Sequence, residues 1–599
     1  METIHKEEIL KKQRNLIKTV NEELRARAED GISSDSDSDA SYKMSDEEKL
    51  DNKDTTNTMS HWTINEHDIT TELLALRQAC TQKKNGEKEV TDIKLMAPNN
   101  IFFFGLNSDE NCRECLPHVF DPVRDLIKVE LQQGKHFQVI ARESIDRRHT
   151  IDKSSGGPGQ WSTPDLYNTI SGDDWNRTYA PTEPQQIHLS IASEAEYAKV
   201  QFATTSEILK ALFKYWPKAQ NDSKLIVTIA GHEDWTFVDG GEEKRRLYLH
   251  NIKTNNLEPA TVYQYQVGTV ATNSTETTWS PIYEFHTQSD DDTFSFLATA
   301  DVGTDNAVAV PHLIQYAKTH KYDFVTLSGD QAYNMADFNG EKGDEYMNFA
   351  QQLYARLPYL GAPGNHESAY NFSHYKNRFN IVPYETSKFA DSMTYSFDYK
   401  SLHLISFSTE IYFEGTDDEI RTATNWLEAD LQQAVQNRHI RPWIILSTHH
   451  PVYCSSNTED CEGRSALIRD GLLSADNGAH WGGLEDLLLK YKVDVYLSGH
   501  VHNYERTYPV AKGLTTSTSY HNAPSFFQLL VGNGGQPEGA VPFNKTGPYP
   551  DWSVVRYGGY GFSTIKVSPT SMEIKHHEAK MDGHLGRLID NFTVTKDLQ

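Results

Sequence analysis

The sequence is short of positive charge, of long apolar runs and of cysteine. Lys and Arg number 57 against 84 Asp and Glu, leaving a formal net charge of -27. So acidic a chain is no general binder of nucleic acid or anionic membrane, because either needs a basic face to release counterions. No stretch approaches the roughly 18 uninterrupted apolar residues of a membrane span, and no transmembrane segment is expected. Residues 1–25 (METIHKEEILKKQRNLIKTVNEELR) lack the apolar centre of a signal peptide, so secretion is not legible at this N-terminus. The five cysteines form two groups, Cys80/Cys112/Cys115 and Cys454/Cys461. Cys112 and Cys115 have no second pair to complete a tetrahedral zinc site. Cys454 and Cys461 enclose a polar loop, CSSNTEDC, that suits a loop-closing disulfide in an oxidising compartment; two buried thiols are the alternative.

What is present is enough for several cores. At 599 residues the chain predicts three or four packed parts. Residues 4–24 place Ile9, Leu10, Leu16, Ile17, Val20 and Leu24 near one face of a charged helix. The Ser/Asp/Glu-rich stretch that follows, about 28–60, buries too little apolar surface to offset its ordering entropy and reads as a disordered linker. Residues 1–60 are thus an amphipathic helix plus acidic linker. Residues 61–175 regain apolar runs (IFFFGL, FDPVRDLIKVEL, FQVIA), read as a small α/β region, and end in a second linker around SSGGPG. From 183 to 288, short alternating segments such as KLIVTIAG and VYQYQVGTV, separated by polar turns, predict a β-sandwich. From 293 to 597, apolar strands alternate with helical stretches, the signature of an α/β domain whose functional residues sit at strand ends. Six Asn-x-Ser/Thr sequons, at Asn176, Asn221, Asn273, Asn371, Asn544 and Asn591, all lie after residue 175 and favour a secretory route.

Five polar motifs follow predicted strands in this last region: Ala300-Asp301-Val302-Gly303, Gly329-Asp330-Gln331-Ala332-Tyr333, Gly364-Asn365-His366-Glu367, Leu446-Ser447-Thr448-His449 and Gly499-His500-Val501-His502. Each sets a side chain able to bind a metal at a strand tip. Aspartate supplies charge and a bridge, histidine neutral nitrogen, and glycine a backbone that turns tightly beside an ion. One such motif alone is an ordinary turn; five in order are enough to enclose two metals.

This ordered set resembles the metallophosphoesterase superfamily. Tyr333, three residues after Asp330, narrows the resemblance to the purple acid phosphatases, as do GNHES, GHVHNYERTYPV and VGNGG. LEPATVYQYQVG followed by WSPIYEFHT resembles the fibronectin type III-like domain before the catalytic domain of the long members. The resemblance implies an all-β sandwich followed by an α/β metallophosphoesterase sandwich, and a phosphatase acting on phosphate monoesters, with anhydrides such as nucleotides as a second class. It assigns Asp301, Tyr333 and His502 to a ferric ion, Asn365, His449 and His500 to a divalent ion (zinc, manganese or iron), and Asp330 to the bridge. Two such Lewis acids hold the phosphate and lower the pKa of a bound water, making hydroxide the nucleophile. His366 then hydrogen-bonds the transferring phosphoryl group or the leaving oxygen. The resemblance also points to a secreted or lysosomal location and is compatible with an oligomer.

The chain departs from the family pattern in places. Ala300 replaces glycine and Leu446 replaces valine, leaving both ligands intact. Plant and small mammalian members carry a histidine about nine or ten residues beyond the fourth-motif ligand, whereas Thr458 and Glu459 stand here. Glu459 or Asp460 is an alternative group to approach the substrate, and His450 is expected to be structural. A different class, a binding or adhesion protein that keeps its metals as cement, uses the same ligands; turnover of p-nitrophenyl phosphate separates the two. A Ser/Thr protein phosphatase is disfavoured because Tyr333-Asn334-Met335 stands where that group has Asp-Arg-Gly.

Overall fold

A computed structural model describes residues 177–191, 197–219, 226–231, 233–456, 459–474, 478–544, 546–580 and 583–597, with the backbone of four strands before residue 145. The chain divides into two units, 1–149 and 150–599. The first contains a four-stranded antiparallel sheet in the order Met59–Ile64, Phe137–Ser144, Glu89–Ala97, Asn100–Gly105. The runs read as α/β, IFFFG and FQVIA, therefore pair as strands, consistent with their β-branched and aromatic content. The amphipathic stretch 4–24, most of the acidic linker and the 154–159 linker lie outside the described residues.

The second unit opens with a β-sandwich. One sheet runs Gln185–Ile191, Ala198–Thr204, Arg246–Lys253, Glu233–Val238; the other runs Thr277–Trp279, Val262–Ala271, Ile208–Pro217, Val227–Ala230, with Tyr283–His286 also on the central strand. All pairings are antiparallel. Alternation decides the inner face: Tyr263, Tyr265 and Val267 point inward to meet Phe213 and Tyr215 of their own sheet and Val200 and Phe202 of the other.

Polar side chains join this sandwich to the α/β part. Asn348 and Gln351, on the helix Glu341–Tyr354, accept from the Gln186 and Ile187 amides at 3.1 and 2.8 Å, and the Tyr265 hydroxyl donates to the Ala355 carbonyl at 2.7 Å. Two histidines are buried here. His188 donates from Nδ1 to the Gln186 carbonyl at 2.8 Å, and His374 lies 2.6 Å from Asp239. Burial, with Arg378 nearby, lowers both imidazole pKa values to about 4. Below the unfolded value of 6.5 the unfolded chain takes up these protons and the folded chain does not. The stability is thus intact above pH 6.5 and lost as pH falls toward 4, by roughly 2–4 kcal/mol per histidine. Urea midpoints measured from pH 7 to pH 4.5 should fall, and a His188→Gln, His374→Gln variant should show a flatter slope.

The α/β part is two packed sheets. The first has the order Tyr359–Ala362, Phe324–Ser328, Phe294–Thr299, Gly561–Val567, Ser571–Ala579, Leu585–Thr595, with its first three strands parallel. The second has the order Tyr395–Tyr399, Leu402–Ser406, Trp443–Ser447, Val495–Ser498, Phe527–Val531, Tyr504–Thr507, Ser553–Tyr557, its middle four strands parallel. Trp443 and Ile445 face the first sheet's Phe296, Val325 and Tyr359 in one core, while Ile444 and Leu446 face Ile420, Leu427 and Leu431 of the helix Asp417–Gln436 in another. Strands buried on both faces explain the continuous apolar runs.

Candidate metal centre

Each motif begins where a parallel strand ends. In the first sheet Asp301, Asp330 and Asn365 follow strands ending at Thr299, Ser328 and Ala362; in the second, His449 follows Ser447, and His500 and His502 follow Ser498. The strand ends meet across the sheets, as the 3.0 Å contact between the Ser328 and Ser447 hydroxyls shows. Turning there requires strained backbone. Asp301, Asp330, Tyr333 and His500 have φ of 56°, 50°, 54° and 70°, a left-handed conformation costing about 1–2 kcal/mol each without glycine. Glycine is kept where even a methyl group has no room. A β-carbon would strike the His449 ring from Gly329, the Asp330 carboxylate from Gly364 and the Asp301 carboxylate from Gly499.

His449 shows how the donors are aimed. Its Nδ1–H donates to the Ser328 carbonyl at 2.8 Å, which leaves the Nε2 lone pair free. That lone pair faces Asn365 Oδ1 at 3.1 Å, Asp330 Oδ2 at 3.2 Å and His500 Nδ1 at 3.2 Å. His500 in turn has Nε2 beside the Asp460 carboxylate at 3.1 Å, so its Nδ1 also presents a lone pair. Four electron-rich atoms are turned on one another with too few protons to separate them. A second group lies alongside: Tyr333 Oη is 3.3 Å from Asp301 Oδ1 and 3.0 Å from His502 Nε2. Ligand atoms of Asp301, Asp330 and His449 lie within 4.8 Å of one another, so the two groups adjoin. Oxygen and nitrogen donors converging in this way fit two cations.

The electrostatics agree. Asp301 and His449 are fully buried and Asp330 is 1% exposed. Burial favours a neutral Asp330, but His449 and His366 overcome it and hold the carboxyl well below the ordinary range. Burial disfavours a charged His449, yet Asp330 and Asp301 raise its proton affinity well above normal. Burial, then the same two carboxylates, push the Tyr333 phenol well above 10. Positive charge is drawn in, and a phenolate there requires a cation beside it.

His366 sits at the partly open rim, with Nδ1 3.0 Å from Asn334 Oδ1, Nε2 3.6 Å from Glu538 Oε1, and its ring 4.3 Å from that of Tyr333. His450 is buried, 3.1 Å from Glu410, with its ring 3.8 Å from that of His500. Cys454 and Cys461 are bonded, with Cα atoms 5.1 Å apart. Cys112 and Cys115 are not among the described side chains.

Sequence reasoning missed Glu367. Its buried carboxylate accepts from the amides of Gly364, Asp330 and Gln331 at 2.9, 3.0 and 3.0 Å, clamping the second motif to the third. The only available signal was its place in GNHES. Replacing it with alanine strands three buried amides and should lower stability by about 3 kcal/mol or more, measurable by urea denaturation.

The fold and the donor set define a metallophosphoesterase. Residues 294–504 match the family Calcineurin-like phosphoesterase, residues 184–287 match Purple acid Phosphatase, N-terminal domain, and residues 525–587 match Iron/zinc purple acid phosphatase-like protein C. Human acid phosphatase type 7 is 34% identical over 456 residues, covering 74% of this chain and 98% of that protein. Purple acid phosphatase 22 of Arabidopsis thaliana is 25% identical, covering 64% of this chain and 80% of that protein. A purple acid phosphatase from yellow lupin (Lupinus luteus) seeds shares the fold with a TM-score of 0.55 at 21% identity, covering 70% of this chain and 75% of that one. The chain belongs to the purple acid phosphatases, and it is a metal-dependent hydrolase of phosphate esters. Among the described residues no helix is long and apolar enough to cross a membrane.

Proposed function

We propose that Asp301, Tyr333 and His502 hold a ferric ion, that Asn365, His449 and His500 hold zinc, manganese or ferrous iron, and that Asp330 bridges the two. The observation that carries this reading is the set of lone pairs turned inward on His449 Nε2. Two cations there would neutralise phosphate oxygens and lower the pKa of a water molecule. The chain's own groups do the rest. Asn334 accepts from His366 Nδ1–H and so turns Nε2 toward the opening, where a protonated Nε2 donates to the phosphoryl group or to the leaving oxygen. Substrates are phosphate monoesters, with anhydrides as a second class. The test is elemental analysis alongside a p-nitrophenyl phosphate pH profile: two metals per chain and turnover on the acid side are expected, and metal-loaded but inert protein would favour a binding role.

The same reading takes 183–288 as a sandwich domain of fibronectin III-like type and 293–597 as the catalytic domain, so that 1–175 is dispensable for hydrolysis. A chain beginning at 176 should keep wild-type turnover, and one that binds two metals yet hydrolyses nothing would overturn this division. The sequon residues Asn273, Asn371, Asn544 and Asn591 are all exposed, which supports a glycoprotein.

A further inference from the structure

The loop closed by the Cys454–Cys461 disulfide reaches the proposed divalent site. Asp460 opens a single wide helical turn, Asp460–Arg464, and is bonded to Cys461, whose disulfide ties the loop back to Cys454. Its Oδ1 lies 3.1 Å from Nε2 of His500 and 3.2 Å from Nη1 of Arg464. Arg464 Nη1 and His500 Nε2 are 3.5 Å apart, so two donors flank one carboxylate. The opposite ring nitrogen, His500 Nδ1, faces Asn365 and His449.

We propose that Asp460 is the positioning residue of the divalent-ion site: by accepting from His500 Nε2–H it fixes the tautomer that leaves Nδ1 free to bind the ion. Two contacts then hold the imidazole: Asp460 holds Nε2, and the buried His450 ring lies against it, tilted by 46° with centroids 3.8 Å apart, which leaves Nδ1 aimed at Asn365 and His449. A carboxylate behind a ligating histidine also makes the imidazole a better donor. Arg464 balances the charge of Asp460. Asp460 thus holds a ligand from behind.

The inference rests on the ligand assignment proposed above, and the test separates the two. Asp460→Ala and Asp460→Asn proteins are dialysed against a chelator, titrated with zinc, and assayed for bound iron. Asp460→Ala should weaken zinc binding about 10- to 100-fold with iron content and far-ultraviolet circular dichroism unchanged. Asp460→Asn, whose amide oxygen still accepts from Nε2–H, should recover part of the loss. Wild-type zinc affinity in Asp460→Ala, or equal loss of zinc and iron, overturns the positioning role alone. A wild-type protein that takes up no second metal overturns the ligand assignment and this inference with it.

Discussion

Asp330→Asn should release both cations and reduce phosphatase turnover at least about a thousandfold. The proposed bridge puts this carboxylate against both cations, so neutralising it removes charge that each cation would share. A unit charge at about 4 Å in a protein-like dielectric is worth about 4 kcal/mol, or about three decades in binding for each ion. Asparagine is nearly isosteric, and its side-chain oxygen still accepts from the His366 amide, which Asp330 Oδ1 binds at 3.0 Å. The fold should therefore survive, and circular dichroism would show it. Near-normal metal content and turnover in this variant would remove Asp330 as the bridge.

What was legible in the sequence follows from chemistry that is local in the chain. A proposed ligand such as Asp301 or His449 is named by its own side chain and by the apolar strand before it, and strands buried on both faces declare themselves as unbroken runs. Groups acting across the fold leave no such trace. Glu367 clamps amides 36 and 37 residues away, and Asp460 meets His500 across 40 positions of sequence. The seam is equally hidden, since nothing in a helix reading of 341–354 says that Asn348 and Gln351 complete the edge of a β-sandwich. Strained φ at Asp301, Asp330 and His500 is invisible for the same reason: it is imposed by the packing of two sheets, against the preference of the residue.

Tyr333→Phe carries the other large effect, on colour. With burial and two carboxylates pushing the phenol well above 10, Tyr333 ionises only if a strongly charged cation lies against Oη. A ferric ion beside Asp301 Oδ1 and His502 Nε2 meets that condition, and a ferric phenolate absorbs visible light by ligand-to-metal charge transfer. The iron-loaded wild-type protein should be coloured. Phenylalanine should abolish the band completely while Asp301, Asp330 and His502 still retain part of the iron. Packing should change little, because the ring contact with His366 at 4.3 Å needs no hydroxyl. The discriminating measurement is absorbance per bound iron, since loss of metal alone would dim the colour without identifying its source. An undiminished band per iron in Tyr333→Phe would mean that the phenol is a packed neighbour and that the ferric site is built without it.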